Sequence, residues 1–553
     1  MHRGEIWVIS HSSRLFSLLA IMAFVIVAGA SLSGWAGEHA FTISYEKYYD
    51  KVLGEWEGKC CGGALGMPIE GWNYQRIARE YGEIHDYIGY FTDRQVGWTG
   101  VCAAVSIPAD RQWHEVTAAV RVPPDLDPQK LYPRLIVGLT PEFSKEDAVF
   151  EVKSISLVKP EAPRIAFDRA AFNAENGAAW KDKPLDMLGA VSKAEPLMRF
   201  ESKAGSRAWA KLNPRAAKAL ALKPSQEIEV KIEARLLSGH NRLAIAFDKM
   251  SLEPVPGFGP DDDTTYQIIG LHSIEEFGSD VTSEQIAGEW LKHLYVPEKG
   301  MLAEQIALRR VRDGIMPPES GKHSSSEAIG GQMKAEIWGL VCPGDPARAA
   351  DYGRRDGIVA HAGNGVYGEM FMAAVAAEAF KHDAASWKGD AKKANADIRK
   401  LLEAGLGQIP SDCQYAAVVR WVMQMHQDGV PWREALRRTV EKYPSPCNPV
   451  FGDAGIVCLG LLYGDGDFEK SLCITAMCGQ DTDCDTASVG AVLGCLHGAK
   501  ALPEKWTKPL GNTFRCFGKD LPDWTEWKIT ELAAQICQTG AWVSPETVKP
   551  PLR

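Results

Sequence analysis

The sequence predicts a mainly α-helical protein whose helical domain is interrupted by a β-sandwich. Between residues 96 and 256, short alternating apolar runs are separated by turns rich in Pro, Asp and Lys, a texture typical of sandwich strands. On both sides of this segment, apolar residues recur at helical spacing. We therefore predict a signal segment at 1–36, a helical domain built from 42–95 and 257–540, and an inserted β-sandwich at 96–256.

The N-terminal segment has the layout of a secretory signal. The apolar run LFSLLAIMAFVIVAGA, residues 15–30, follows Arg3 and Arg14 and contains a small-residue site at Ala28-Gly29-Ala30. An uncleaved anchor is the alternative, because the apolar run is slightly short for a membrane span but long for the apolar core of a signal peptide. We expect a secreted or periplasmic protein, attached to a membrane only if this segment is uncleaved.

The first helix is predicted in SYEKYYDKVLGEWEGKCCGGALG, which we interpret as an amphipathic helix that packs closely through its glycines and ends at Pro68. The strands are predicted in WHEVTAAVRV, YPRLIVGLT, AVFEVKSISLV, EIEVKIEARL and RLAIAFDKMSL. Buried helices of one bundle are predicted in SEQIAGEWLKHL, YGEMFMAAVAAEAF, QYAAVVRWVMQMHQ and DTASVGAVLGCLHGA, because these are apolar on most faces.

Charge and cysteine content exclude some classes of protein. The net charge of -10 provides no basic surface for nucleic acid, so no nucleic-acid partner is expected. The 13 cysteines are an odd number, so at least one is unpaired, and several lie in apolar helical runs where cysteine acts as a small buried hydrophobe. No CxxC pair or Cys/His spacing indicates zinc, so we assign no structural metal to the cysteines.

Two clusters of acidic residues are the candidate functional residues of this sequence. In GPDDDTTYQIIGL, the residues Asp261, Asp262 and Asp263 precede an apolar helix. One aspartate would satisfy a helix N-cap, but three in a row repel one another and call for a positive charge, most simply a hard divalent cation.

The second cluster is GQDTDCDTASVGAVLGCLHG, residues 479–498. Asp481 and Asp483 alternate and are expected on one side of an extended turn, with Thr482 and Asp485 facing elsewhere. Two such clusters, each before a helix, indicate convergence on a shared site. Five carboxylates oversupply one Mg²⁺ and fit two metal ions.

These motifs resemble the ADP-ribosylglycohydrolase superfamily, which includes the dinitrogenase reductase-activating glycohydrolases. The resemblance spans about residues 45–95 and 255–540. The matching motifs are GKCCGGALGMPIEGW with Glu70, DDDT at 261–264, IGGQMKAEIWG with Gly330, Gly331 and Lys334, VAHAGNGVYGEMF with His361, and GQDTDCDTASVG with Asp481 and Asp483. The DDD and DTDC spellings resemble one branch of the superfamily.

Three positions depart from the family pattern. Asp261 stands where many members have Thr or Ser, and Lys334 replaces the usual Arg, which removes a planar fork for phosphate. Cys484 stands where many members have a metal-binding Thr, and a thiol is a poor ligand for Mg²⁺.

The resemblance implies an all-α orthogonal bundle with two Mg²⁺ ions, or Mn²⁺, that hydrolyses a bond at the anomeric carbon of a ribose. The implied metal ligands are Asp261, Asp262, Asp263, Asp481 and Asp483, with Cys484 at the Thr position. Asp262 and Asp483 are also counted as catalytic. The implied substrate-binding residues are Gly330, Gly331, Lys334 and His361.

Two of these residues have simpler interpretations. Glu70 is assigned a gating or acid/base role, with a solvated turn residue as the alternative. His361 lines the ribose or diphosphate site in one interpretation, and is a capping or packing residue in the other.

Three functions are open. The first is an exported ADP-ribosyl hydrolase. The second is a metal-dependent glycoside hydrolase for a furanose in a glycan, aided by carbohydrate contacts of a jelly-roll-like insert through Trp98, Trp113, Tyr132 or Trp180, each of which could equally be a core residue. The third is a noncatalytic binding protein that reuses the fold. The crowded carboxylates argue against the third.

Overall fold

A computed structural model of the chain describes residues 41–91, 95–140, 146–158, 167, 171–176, 178–180, 197–202, 207–252, 256–294, 302–444, 450–516 and 526–549. The predicted signal segment, 1–36, lies outside the described residues. No helix in the described ranges is both long and apolar enough to cross a membrane.

The first described elements are a short strand and a long helix. They are β1 (Ile43–Ser44), α1 (Tyr45–Gly66) and, after a 3₁₀ turn at Met67–Ile69, α2 (Tyr74–Tyr81). The Ser44 side chain accepts a hydrogen bond from the Lys47 N–H and so caps α1. The predicted amphipathic character of α1 was wrong, since its second half from Gly54 to Gly66 is almost wholly buried. This burial follows from neighbours on several faces of the helix.

The part of the chain from 95 to 251 forms antiparallel strands. They are β2 (Gln95–Ser106), β3 (His114–Arg121), β4 (Leu131–Leu139), β5 (Ala148–Val158), β6 (Phe172–Asn176), β7 (Ala178–Trp180), β8 (Met198–Ser202), β9 (Ala208–Leu212), β10 (Glu227–Gly239) and β11 (Arg242–Ser251), with α3 (Pro214–Leu220) between β9 and β10. Two five-stranded sheets result, in the orders β3-β10-β5-β8-β7 and β2-β11-β4-β9-β6. All five predicted strands are present.

The two sheets share one apolar core, as a sandwich requires. Strand β10 alternates, with Ile228, Val230 and Ile232 buried. These side chains belong to one cluster of buried residues with Phe150 of the same sheet and Phe247 of the other. This alternation is why the sequence pattern identified the strands.

The remainder of the chain is predominantly helical. The helices are α4 (Asp262–Phe277), α5 (Ser283–His293), α6 (Leu302–Arg312), α7 (Gly330–Met333), α8 (Glu336–Val341), α9 (Pro346–Ala360), α10 (Asn364–Ala379), α11 (Ala391–Leu406), α12 (Gln414–Gln427), α13 (Trp432–Lys442), α14 (Val450–Tyr463), α15 (Phe468–Cys478), α16 (Thr482–His497), α17 (Glu504–Thr507) and α18 (Ile529–Val543). Strands β12 (Thr513–Arg515) and β13 (Glu526–Lys528) pair with each other, and β14 (Val548–Lys549) pairs in parallel with β1. The four predicted helices are α5, α10, α12 and α16.

Thr42–Arg553 forms one compact unit, with the sheets between the two helical parts of the sequence. The mainly α class with a sheet region is therefore confirmed. The division into two structural domains at the stated boundaries stays a prediction.

Glycines bring α1 and α16 into backbone contact. A Cβ atom on Gly58 would lie 2.1 Å from the carbonyl oxygen of Gly490, and one on Gly66 would lie 2.0 Å from that of Thr482. Any side chain at these positions would force the helices apart. The close approach that the sequence predicted for the first helix is thus present, and its partner is the helix that carries the second acidic cluster.

The described cysteines are unpaired, and most are buried. This matches their interpretation as small apolar residues.

Candidate functional site

The first acidic cluster begins helix α4. Asp261 is the N-cap, and its Oδ1 accepts a hydrogen bond from the Asp263 N–H over 2.9 Å. One aspartate therefore does perform the capping role, as the simplest interpretation required. Asp262 and Asp263 lie in the first helical turn, where the helix dipole favours negative charge.

The second acidic cluster begins helix α16 in a similar way. Asp481 stands at the N-cap position, and Asp483 and Asp485 lie in the first turn. The predicted extended turn was wrong, because residues 482–485 are already helical. Asp485 is also fully buried among Asp453, Asp481 and Asp483, so the expectation that it faces elsewhere was wrong as well.

The two clusters meet. The Cys484 thiol donates a hydrogen bond to Oδ2 of Asp263 over 3.2 Å, which links the start of α16 to the start of α4. Ligand atoms of Asp261, Asp262 and Asp263 lie within 4.8 Å of one another, and the same holds for Asp481, Asp483 and Cys484. We call the five aspartates 261, 262, 263, 481 and 483 the acidic centre.

The carboxylates of the acidic centre suit a hard cation. Asp261 Oδ2, Asp263 Oδ1 and Asp483 Oδ1 are buried oxygen atoms that accept no hydrogen bond from any residue in the described part of the chain. Buried polar atoms are normally satisfied, so such oxygens require an explanation, and carboxylate oxygens are the ligands that Mg²⁺ prefers. The residues present therefore fit a divalent metal, as the sequence implied. The number of ions and their identity stay predictions.

Mutual repulsion and burial shape the acidity of the centre. Burial, followed by the charges of Asp263 and Asp262, raises the pKa of Asp261 well above its usual range. Burial also raises the pKa of Asp263, to about 6, although the ammonium of Lys59 opposes the rise. Without added positive charge, these groups therefore hold protons at a pH where free aspartate is ionised.

Lys59 on α1 supplies a buried positive charge that sequence reasoning missed. Its Nζ lies 3.7 Å from Asp263 Oδ1 and 3.2 Å from Glu336 Oε2, and it donates a hydrogen bond to the Met333 carbonyl over 2.8 Å. Burial would lower the Lys59 pKa, but Glu336 and Asp263 outweigh it and the pKa is raised. A lysine inside the glycine-rich run of α1 was the available signal.

Asp453 is a second residue that sequence reasoning missed. It lies in the first turn of α14, and its two buried carboxylate oxygens accept no hydrogen bond. Burial raises its pKa to about 7, with a further contribution from Asp483. A lone aspartate in VFGDAG gave no signal, because only the fold places it beside the second cluster.

Glu70 faces the acidic centre from the end of the 3₁₀ turn that follows α1. The residue as a whole is exposed, while the negative charge of Asp483, then desolvation of the carboxyl, then the charge of Asp263, raise its pKa to about 8. It is therefore electrostatically coupled to both clusters. Its acid/base role stays a prediction.

His361 and Gly330 meet at a glutamate on α6. His361 is buried, and its Nε2 lies 2.9 Å from Glu304 Oε1. A Cβ atom on Gly330 would lie 1.7 Å from the same oxygen, so any larger residue there would displace the Glu304 carboxylate. Glu304 in turn is one of the negative charges that raise the Asp262 pKa. His361 thus reaches the acidic centre through Glu304, which the sequence did not single out.

A cavity of about 560 Å³ adjoins His361, lined also by Lys322, Arg354 and Tyr367. Gly331 packs against α10, where an added Cβ would lie 2.6 Å from the Gly365 carbonyl oxygen. The substrate-binding roles of His361, Gly330 and Gly331 stay predictions.

Lys334 is held by buried acidic residues, and its predicted substrate-binding role stays a prediction. This side chain is fully buried, and its Nζ lies 2.7 Å from both Asp356 Oδ2 and Glu369 Oε1. Its ammonium group is paired with two buried carboxylates. These would lose their positive partner if the Lys334 side chain turned outwards. Burial raises the Glu304 pKa, but its hydrogen bond and charge interaction with His361, a backbone hydrogen bond and, last, the charge of Lys334 lower this pKa overall.

Of the three comparisons with known proteins, the family model is the one that bears on the family of this chain. No curated protein matches the sequence. Among the 41 matching chains of solved structures, one titled "ADP-ribosylglycohydrolase-related protein complex" is 19% identical, covers 52% of this chain and 83% of its own, and has a TM-score of 0.36. The family model for ADP-ribosylglycohydrolase matches residues 217–540, a range that contains both acidic clusters and His361. The chain therefore belongs to the ADP-ribosylglycohydrolase family.

Proposed function

We propose that the protein is an exported, divalent-metal-dependent glycohydrolase that cleaves the anomeric bond of an ADP-ribosyl or related ribosyl group. The observation that carries this proposal is the meeting of two acidic helix starts, joined by the hydrogen bond from Cys484 to Asp263. Membership of the family indicates a hydrolase of the glycohydrolase type.

The acidic centre would hold the metal. Its five aspartates, of which Asp261, Asp263 and Asp483 each have a buried oxygen with no hydrogen-bond donor among the described residues, match two Mg²⁺ ions, or Mn²⁺, better than one. When bound, such a pair supplies Lewis-acid stabilisation and a water of lowered pKa. Cys484 is expected to position Asp263 rather than bind the metal, because its buried thiol keeps its proton.

Glu70 would transfer the proton that the leaving group needs. Its carboxyl is close enough to the acidic centre for the charge of Asp483 to raise its pKa to about 8. A carboxyl that holds its proton near neutral pH can donate it to a leaving group, and can take it back from water afterwards. Positive charge added to the centre would lower this pKa and favour the base form.

The test is an activity screen with added Mg²⁺ or Mn²⁺ against ADP-ribosyl-arginine, ADP-ribosyl-serine and nitrophenyl furanosides. ADP-ribosyl substrates should be preferred, and Asp262→Ala or Asp483→Ala should abolish both cation binding and activity. Asp390→Ala is the matched control, because Asp390 caps α11 outside the acidic centre. A protein that binds no divalent cation by calorimetry would instead be a noncatalytic relative.

Export is tested separately, because residues 1–36 lie outside the described structure. Cell fractionation followed by N-terminal sequencing would locate the protein and show whether the segment is removed. Recovery of the full-length chain from the cytoplasm would overturn this part of the proposal.

A cavity on the sandwich favours a second candidate, hydrolysis of a furanose-containing glycan. It measures about 220 Å³ and is lined by Trp98, Trp209, Arg207, Lys211 and Asp248, among others. The Trp98 and Trp209 rings pack edge to face at 6.4 Å. Trp209 is buried, so the half-buried Trp98 is the ring of this pair that is available to stack on a sugar.

The other aromatic candidates are less suited to sugar binding. Tyr132 is buried in the sandwich core, and Trp113 packs against Lys153 and Arg235. The side chain of Trp180 lies outside the described residues. Trp98→Ala should therefore abolish retention on a glycan array if the second candidate is correct, and Trp113→Ala is its control. Faster hydrolysis of furanosides than of ADP-ribosyl substrates would select this function.

A further inference from the structure

Two histidines and a glutamate form a cluster on the helix pair α4 and α5, away from the acidic centre. His272 Nε2 lies 3.0 Å from Glu289 Oε2, and His293 Nε2 lies 2.8 Å from the same oxygen. Glu289 and His293 are four residues apart on α5 and so share one face of that helix. Ligand atoms of all three residues lie within 4.8 Å of one another.

These distances suit a transition metal. Ligand atoms at ~2.0–2.2 Å from a tetrahedral Zn²⁺ are separated by roughly 3.3 Å, close to the separations of the two imidazole nitrogens from the carboxylate. Two imidazoles and one carboxylate are a ligand set that Zn²⁺ accepts, with water in the fourth position. A metal ion could therefore enter with small side-chain shifts.

The site is both enclosed and reachable. Glu289 and His293 have 7% of their side-chain surface exposed, and His272 has 25%, which leaves a path for an ion from solvent. Lys292 Nζ lies 3.5 Å from Glu289 Oε1, but its side chain is 60% exposed and contacts the other carboxylate oxygen. It does not block the oxygen on which the histidines converge.

The helix pair that carries the cluster is held in place. Thr282 and Gln285 form a capping box at the start of α5. Ser279 and Val281 lie in the loop that connects α4 to α5. Arg355 of α9 donates hydrogen bonds to their carbonyl oxygens over 3.2 and 3.1 Å. Ligands on fixed helices lose little entropy on binding a metal, so the cluster is preorganised.

We propose that His272, Glu289 and His293 bind one Zn²⁺ or similar borderline divalent cation, separately from the acidic centre. His272 lies ten residues after Asp262 on α4, a helical rise of ~15 Å, so the two sites do not share ligands. The ion would fasten α5 to the helix whose first turn carries Asp262 and Asp263. Imidazole ligands select against Mg²⁺, so the two sites take different metals.

The experiment is a Co²⁺ titration of the purified full chain in excess Mg²⁺, followed by visible absorption and by displacement with Zn²⁺. We expect one equivalent of Co²⁺ with the absorption of a four-coordinate nitrogen and oxygen site, bleached by Zn²⁺. His272→Ala and His293→Ala should each weaken binding by at least about 100-fold, since each removes one of three protein ligands.

The controls separate this site from other binding. His85→Ala removes an exposed histidine elsewhere and should leave the titration unchanged, as should Asp262→Asn. Absence of Co²⁺ binding in excess Mg²⁺, or binding that survives both histidine substitutions, would overturn the proposal. His272→Ala keeps the test decisive if His293→Ala fails to fold, because His272 is the more exposed ligand.

Discussion

The Cys484 thiol donates a hydrogen bond to Oδ2 of Asp263 across 221 residues of sequence, over 3.2 Å. This contact joins the first turns of α16 and α4, and it places a soft sulfur atom among hard oxygens. Burial, followed by the charge of Asp263, raises the Cys484 pKa well above its usual range, so the sulfur stays protonated and donates. Cys484 is therefore expected to orient a carboxylate rather than to bind a cation.

Cys484→Ser should leave Mg²⁺ affinity within about threefold of the wild type, because a hydroxyl can donate the same hydrogen bond. Isothermal titration calorimetry measures the effect, with Asp483→Asn as the variant that should lose binding. A loss of tenfold or more in Cys484→Ser would show that the sulfur is a metal ligand.

Gly58→Ala should destabilise the protein by about 1–3 kcal/mol or more, because its Cβ would lie 2.1 Å from the Gly490 carbonyl oxygen and overpack the contact between α1 and α16. Gly288→Ala on α5 is the matched control, since nothing lies within 4 Å of its added Cβ. There the better helix propensity of alanine should stabilise by about 0.5–1 kcal/mol. Urea denaturation compares the two, and equal effects would contradict the packing argument.

Lys59→Met should destabilise the protein by about 3–5 kcal/mol, because it leaves Glu336 and Asp263 buried without their positive partner. Added Mg²⁺ should recover part of the loss, since a cation in the acidic centre restores positive charge beside Asp263. Thermal melts with and without Mg²⁺ measure this recovery. Lys47→Met, which removes an exposed ion pair with Asp383, is the control.

Asp453→Asn should stabilise the metal-free protein, and the gain should grow as pH rises. The folded-state pKa of Asp453 is about 7, whereas an unfolded aspartate titrates near ~3.9, so the folded protein binds the extra proton between these values. Stability from this group is present below pH ~4 and is lost as pH rises to about 7, by linkage. Urea midpoints of both proteins across this window should diverge, and parallel curves would contradict the assignment.

Glu70→Gln should lower kcat on the order of 100-fold while cation affinity is retained, because the amide cannot transfer a proton. The limb of the kcat/KM pH profile that depends on Glu70 should disappear with it. Steady-state kinetics on the preferred substrate and calorimetry with Mg²⁺ provide the two readouts. Unchanged kcat would leave Glu70 as a solvated turn residue.

The sequence by itself determined the class of the fold and the two acidic helix starts. The alternation of apolar residues in β10 and their helical spacing in α10 are local patterns. They can be recognised in the sequence without knowledge of the tertiary contacts. The aspartates at 261–263 and at 481 and 483 could be recognised because each group falls within three residues and precedes an apolar helix. These features depend on residues close together in the chain.

Only the tertiary structure decided which isolated charges join the site. Lys59 lies about 200 residues before the first cluster and Asp453 lies on the helix α14, outside both clusters, while Lys334 is paired with Asp356 and Glu369. The pairing of a buried charge depends on which helices pack together, here through the glycines of α1 against α16. The spacing of residues within one helix does not encode that packing. The packing arises from contacts between residues that are hundreds of positions apart in the chain.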